Sequence, residues 1–309
     1  MRELDPAAWD ALELDAYYRR PYVEAAALLD KGRPFLLEHD GARFAGIERD
    51  EPRDVVTPYG YGGPTADGFW DAYEEWARER GVVTTFVRFH PLYGNQRGAP
   101  IHVDELAPTV AWRVDPDRDL LAGLHFKHRN KVTKAENAGA TVTQHDGLGE
   151  FVPLYEDTMR RVNADDFYFF EPAYWERLGE LPLVRFDAGI DGEVVASALC
   201  LATPPWLHYH LSGTTDAGRT TGSSTLVLLE AARWGQANGY ERFHLGGGLG
   251  GKEDSLHHFK ARFDPDGLVP AAIGKAIHDE ERYRELGGDG FDGFFPAYRH
   301  RASSVNACS

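Results

Sequence analysis

Ten residues near the middle of the chain, His125 to Lys134, read HFKHRNKVTK and carry four fixed positive charges and no acid. On a helix Lys127, Lys131 and Lys134 fall at i, i+4 and i+7, on one face, with Arg129 to the side. A surface helix pointing at water is the ordinary explanation of such a face. The lack of balancing Glu or Asp also suits a polyanion gripped through its phosphates. A second candidate is Arg219 to Ser224, RTTGSS. Its hydroxyls suit a helix N-cap, while its amides suit an anion at a helix N-terminus, with Gly222 allowing close approach. Gly246 to Gly251, GGGLGG, follows an apolar run but has neither the GxGxxG spacing nor the phosphate-loop Lys-Ser/Thr, so it reads as a backbone-built ligand wall. His208 and His210 share a strand face and His257 and His258 are adjacent. No cysteine or acid completes a ligand set at metal spacing and HExxH is absent, so no metal is expected. Asp67, Asp165 and Asp166 are candidate proton acceptors, although Asp67 equally fits the first turn of a helix. Tyr59, Tyr61, Tyr168 and Tyr209 are candidate walls of an acceptor site, with His210 beside them; core packing is the plainer role of the tyrosines.

The stripe stands out because the body is acidic. Forty-nine Asp and Glu face 33 Lys and Arg in 309 residues, a net charge of −16, which argues against a general nucleic-acid coat protein. With 42% hydrophobic and 12% aromatic residues the chain can bury a sizeable core, and its length fits one large or two medium domains. No run approaches the length of a membrane span. Met1 to Asp10 carries acids and no apolar core of a signal peptide. A cytoplasmic location without integral membrane association is expected. The two cysteines, Cys200 in an apolar run and Cys308 near the end, make neither a disulfide framework nor a zinc knuckle. Cys200 reads as a small buried apolar residue.

Alternating short strands and helices must position these residues, which gives a mixed α/β class. Pro34–His39 and Arg43–Arg49 read as strands around the turn pair Asp40-Gly41. The loop Thr57–Pro64, a helix from about Asp67 to Arg80 stopped by Gly81, and a strand Val82–Phe89 follow. The second half repeats the order. Leu183–Ala188 and Glu193–Leu201 flank Asp191-Gly192, then come a strand Trp206–Ser212, a helix from about Ser224 to Asn238 stopped by Gly239, and a strand Glu241–Leu245. In both halves a helical Trp precedes the terminating Gly by five residues, Trp76 and Gly81, then Trp234 and Gly239. This implies a duplication: one lobe over residues 1–115, a second over 116–290, and a tail over 291–309. DPDRD marks the boundary, and a ligand cleft is expected between the lobes.

The order after Val194 resembles the acyl-CoA N-acyltransferase (GNAT) fold, and local strings are similar to the Fem-type peptidyltransferases. The strings are PYGYGGP (Pro58 to Pro64), FKHRNKVTKAENAGATV (Phe126 to Val142), MRRVNADDFYFF, LSGTTD, RFHLGGG and the pair Phe259-Lys260. The resemblance covers nearly the whole chain. It implies two tandem GNAT-like lobes, no cofactor, aminoacyl-tRNA as donor and an amine as acceptor in cell-wall precursor or natural-product biosynthesis. It also implies that Lys260 and Phe259 are the functional pair. In that chemistry an amine attacks an ester carbonyl, and a lysine serves as positive electrode for the developing oxyanion. The stretch Arg219 to Ser224 approximates the R-x-x-G-x-G/A loop of CoA-dependent relatives, with Ser224 at the last place. An acyl-CoA donor held by Arg219, Gly222, Ser223 and Ser224 is therefore the alternative. A lobe pair that binds peptide or tRNA without turnover is the third reading.

Overall fold

The computed structural model describes residues 1–300; positions 301–309, which include Cys308 and the end of the expected tail, lie outside the described residues. Twelve strands are β1 (Arg2–Glu3), β2 (Arg33–His39), β3 (Ala42–Arg49), β4 (Asp54–Val56), β5 (Thr84–Arg88), β6 (His102–Arg113), β7 (Thr141–Asp146), β8 (Leu183–Ile190), β9 (Glu193–Thr203), β10 (Trp206–Thr214), β11 (Arg242–Gly246) and β12 (Leu268–Ile277). They form one sheet in the order β1-β2-β3-β4-β5-β12-β6-β11-β10-β9-β8-β7.

The duplication appears in this order rather than as two separate sheets. β1 to β4 form an antiparallel run, a helix (Trp70–Glu79) crosses over, and β5 joins β4 in parallel. β7 to β10, the helix Ser223–Ala237 and β11 repeat the pattern, with β11 parallel to β10. The next strand of each half is exchanged. β6 pairs with β11, β12 pairs with β5, and the two exchanged strands pair with each other at the centre.

The local causes are legible. Asp40 and Gly41 have φ of 48° and 81°, and Asp191 and Gly192 have 52° and 87°, the left-handed pairs that a two-residue hairpin of this twist requires. Both crossover helices end at a glycine of positive φ, Gly81 at 69° and Gly239 at 78°. Helix Trp70–Glu79 buries Tyr73 and Ala77, at i and i+4, on a first-half core that includes Phe35, Phe44 and Phe69. Helix Ser223–Ala237 and the helix Phe126–Asn137 cover the second half around Trp112, Phe186 and Phe243. A third cluster joins the halves, with Tyr17, Tyr22 and Val56 packed alongside Tyr155, Leu199 and Leu211.

Candidate functional site

A parallel strand pair joined by a helical crossover need stay paired only as far as its ladder runs. β10 and β11 pair through Trp206–Arg242, Leu207–Phe243 and His208–His244, and there the pairing ends. Beyond this splay lie Tyr209 on one side and Gly246-Gly247 on the other. Lys260 reaches into it from the last turn of the helix Ser255–Ala261. Its Nζ donates to the Gly247 carbonyl at 2.8 Å and stands 5.7 Å from the Tyr209 ring centroid. A Cβ on Gly246 would sit 3.5 Å from Lys260 Nζ and 3.4 Å from the Tyr61 hydroxyl, ordinary contact distances that place the ammonium and the phenol at this strand end, and its φ of 75° is what favours glycine there. Lys260 is 8% exposed, and burial pushes its pKa down to about 8, opposed by Asp254.

The basic stripe docks on the same helix. Helix Phe126–Asn137 buries His128, Val132 and Ala135 and leaves Lys127, Arg129, Lys131 and Lys134 on its exposed side. His128 Nε2 lies 2.8 Å from the Phe259 carbonyl, and Lys131 Nζ stands 5.3 Å over the Phe259 ring. Phe259 thus sits between the stripe and the core, with Lys260 next in sequence. Lys134 donates to the Thr220 carbonyl at 2.7 Å, and Arg129 turns back onto the Leu124 carbonyl, so Lys127 is the stripe residue with no such tether among the described residues.

The stretch Arg219 to Ser224 is not the open loop that its sequence suggests. Asp216–Thr221 is a helix capped by Thr215, Gly222 is left-handed with φ 86°, and Ser223 starts the next helix. The amides of Arg219, Gly222 and Thr225 are taken by Thr215, Gly218 and Gly222 carbonyls. Arg219 pairs with Asp216 at 3.1 Å, and the Ser223 hydroxyl bonds to that of Thr221 at 2.8 Å. A Cβ on Gly222 would meet the Lys131 carbonyl oxygen at 3.0 Å, so the basic helix lies against the point where a pyrophosphate would have to approach. Helix formation has consumed most of the converging amides that this site would need.

Around the splay the expected acceptor residues gather, together with several not singled out in the sequence. Tyr61 packs edge-on against Tyr17, whose ring also contacts Tyr22 and His208. Tyr22 donates to the Tyr59 carbonyl at 2.6 Å and its ring meets His210. His210 is bonded to the Tyr174 hydroxyl at 3.2 Å, and burial pushes its pKa down to about 3. Tyr59 meets Phe167, next to the half-buried Tyr168, whose carbonyl accepts from Tyr155. Tyr209 donates to Ser212 at 2.6 Å, and its pKa is pushed up to about 12 by burial. The hydroxyls of Tyr17 and Tyr61 are neither hydrogen-bonded to a described residue nor sealed from solvent. Asp67 stands apart: it is exposed, and the helix begins only at Trp70 with Asp71 in its first turn. Asp165 caps a short helical turn through the Phe167 amide, and Asp166 is exposed.

Below the site runs a buried polar chain. His208 Nε2 is 2.7 Å from Asp15, His208 Nδ1 is 3.4 Å from His244 Nδ1, and His244 Nε2 is 2.9 Å from the Thr109 hydroxyl. His90 Nε2 lies 3.3 Å from the other Asp15 oxygen, while its Nδ1 accepts from the Tyr93 amide. Burial opposes the Asp15 charge, but His208 and His90 outweigh it and hold the carboxyl well below its usual range. Burial drives His244 well below its ordinary pKa, keeping it neutral. Asp15, His90 and His208 bring three ligand atoms within 4.8 Å, a spacing that a metal also uses. The Tyr93 amide, however, puts the His90 proton on Nε2, facing Asp15, so the carboxylate is met by N–H donors. Glu253, His257 and His258 form a second such group, in which buried His257 has no partner for either ring nitrogen.

Residues 126–260 match the family model described as an acetyltransferase (GNAT) domain. The match opens on the basic helix and closes on Lys260. The fold is a Fem-like GNAT fold. The crystal structure of FemX superposes with a TM-score of 0.65 at 14% identity, covering 92% of this chain and 99% of that one. The C-terminal domain of a putative lysylphosphatidylglycerol synthetase from Agrobacterium fabrum gives 0.56 at 18% identity, covering 82% and 87%. L-PGS from Bacillus licheniformis gives 0.56 at 15%, covering 82% and 86%. No curated protein matches in sequence. In this GNAT fold β10 and β11 part after His208–His244, whereas in the first half pairing resumes beyond Val56–Phe86 at Gly62–Phe89. The residues missed in the sequence, Asp15, Tyr17, Tyr22, His90, Tyr174 and His244, cluster around His208 and His210. His208 and His210 signalled the place by sharing a strand face; nothing local marked Asp15 or His90.

Proposed function

We propose that the protein transfers an aminoacyl group from aminoacyl-tRNA to an acceptor amine without a covalent enzyme intermediate. The amine nitrogen attacks the ester carbonyl and Lys260 stabilises the oxyanion that forms. The C–O bond to the ribose then breaks, with the amine proton passing to the departing ribose hydroxyl. Most of the catalysis is orientation and charge stabilisation. The observation that carries this reading is the junction at Phe259-Lys260: the exposed basic helix rests on Phe259 through Lys131, and the adjacent Lys260 enters the splay. A polyanion lying along Lys127, Lys131 and Lys134 would deliver its terminal ester towards the ammonium. The helical closure of Arg219 to Ser224 supports this donor over acyl-CoA.

The test is transfer from charged tRNA to a panel of amines, with and without ribonuclease, alongside calorimetry with acetyl-CoA. RNase-sensitive transfer and no heat at millimolar acetyl-CoA are expected. Tight acetyl-CoA binding, with transfer that survives ribonuclease, would replace the donor and leave the fold untouched.

A further inference from the structure

Between the strand end at Gly246 and the helix Ser255–Ala261 the chain folds tightly on itself. Asp254 caps that helix: one carboxylate oxygen accepts from the His257 amide at 2.8 Å, and the other from the Leu249 amide at 3.0 Å. A Cβ on Gly248 would stand 2.1 Å from the Lys252 carbonyl oxygen, so a glycine is what lets the loop close against the start of the helix.

The buried face of this helix carries His257 and Lys260, three residues apart. Lys260 has the Gly247 carbonyl, whereas His257 has no partner. It is 4% exposed, and both of its ring nitrogens are sealed from solvent without a hydrogen bond to any described residue. A neutral imidazole carries one donor and one acceptor, and burying both unmet is costly. Beside it stand the Glu253 carboxylate and the His258 ring, and the three side chains bring one ligand atom each within 4.8 Å of one another. His258 Nδ1 lies 4.0 Å from Glu253 Oε1, and these two side chains are 56% and 66% exposed, which leaves both free to close on a common point. Asp254, engaged by the two amides, stays out of the set. Taken as an adjacent pair in the sequence, His257 and His258 lack a third ligand; the turn before the helix supplies it as Glu253.

We propose that Glu253, His257 and His258 bind a divalent ion of the zinc class, which clips the glycine-rich loop to the helix that carries Lys260. Two imidazoles and one carboxylate suit zinc, cobalt(II) or nickel(II), whereas magnesium and calcium take oxygen ligands. Three side chains leave a fourth place to water. The ion gives one orphaned His257 nitrogen its partner and ties together the two segments that hold the Lys260 ammonium, the loop through Gly247 and the helix. The group Asp15, His90 and His208 is different in kind, because its carboxylate is already taken by His208 at 2.7 Å.

The test is calorimetric titration of zinc chloride into the full chain after treatment with a chelator. Saturation at a single ion per chain is expected, and excess magnesium chloride should not compete. Glu253→Gln and His258→Gln, both at exposed positions, should each weaken zinc binding about tenfold or more. Zinc should raise the unfolding temperature of the native chain but not that of a chain carrying both changes. Asp15→Ala should bind zinc as the native chain does. No saturable binding at about 0.1 mM zinc, or an affinity unchanged in the chain carrying both changes, would each overturn the assignment. So would an affinity lost in Asp15→Ala and kept in that chain. No donor or acceptor enters these measurements, so their outcome is independent of the transfer assay.

Discussion

Replacing Lys260 by methionine should inactivate the protein and stabilise it. Burial lowers the ammonium from its ordinary 10.5 to about 8. At about 1.4 kcal/mol per pH unit, keeping it charged at neutral pH costs the fold about 3 kcal/mol. Methionine fills the aliphatic stem and drops the charge, so Lys260→Met should be more stable at pH 7 by up to about 3 kcal/mol. Turnover should fall on the order of a hundredfold, as when an oxyanion donor is lost. Between pH 8 and 10.5 the unfolded chain still holds a proton that the folded chain has released. The native protein's stability therefore rises with pH across that window relative to the variant, and the variant's advantage disappears by its upper end. Urea unfolding of both proteins at a series of pH values reads the first effect. The ratio of their rates against pH reads the second, and should fall above about pH 8, where the electrode loses its charge. A variant that is less stable at pH 7, with no pH-dependent difference, would refute the strained-ammonium argument. A rate ratio that climbs through pH 8 would make Lys260 a base and not an electrode.

Replacing Lys127, Lys131 and Lys134 together by glutamine should weaken tRNA binding and lower the log–log salt slope by roughly 0.7 to 0.9 for each phosphate no longer neutralised; an unchanged slope means the helix only faces water. Lys127→Gln alone should change the slope without changing stability, because Lys131 and Lys134 also hold Phe259 and Thr220. Asp15→Ala should leave the buried His208 Nε2 without its partner and cost about 1–3 kcal/mol. Because the Asp15 pKa is depressed on folding, its stabilisation is present above the ordinary carboxylate range and is lost as pH falls through the folded value. The alanine variant should therefore show a shallower acid limb in thermal unfolding; an identical limb would mean that the chain below the site carries no charge at Asp15.

Short-range signals gave the hairpins and crossover helices. Asp-Gly pairs need left-handed backbone, and Gly81 and Gly239 stop helices whose apolar spacing is plain. The exchanged strands were hidden. HVDELAPTVAWR and LVPAAIGKAI carry Pro108, Pro270, Asp104 and Lys275 and show no clean alternation. Their charges make sense only once β12 lies against β6 and sets Lys275 2.6 Å from Asp104. Phe259-Lys260 and the basic helix were legible because family strings mark them, and the structure brings them into contact. Arg219 to Ser224 stayed open in the sequence because hydroxyls and a glycine suit a helix start as well as an anion loop, and local sequence does not decide between them. Asp15 could not be found at all: it is one acid among 49, and its partner His208 lies 193 residues away.

The exchange of β6 and β12 also governs how the chain can be made. When the first half leaves the ribosome, β5 has a bare edge, and β6 has neither of its neighbours. Both must wait for Arg242–Gly246 and Leu268–Ile277, a delay on the order of ten seconds or more at cellular rates of about 5–20 residues per second. Bare edges recruit strands from other chains. The nascent protein thus has a long interval in which the unpaired edge of β5 is open to a strand from another copy.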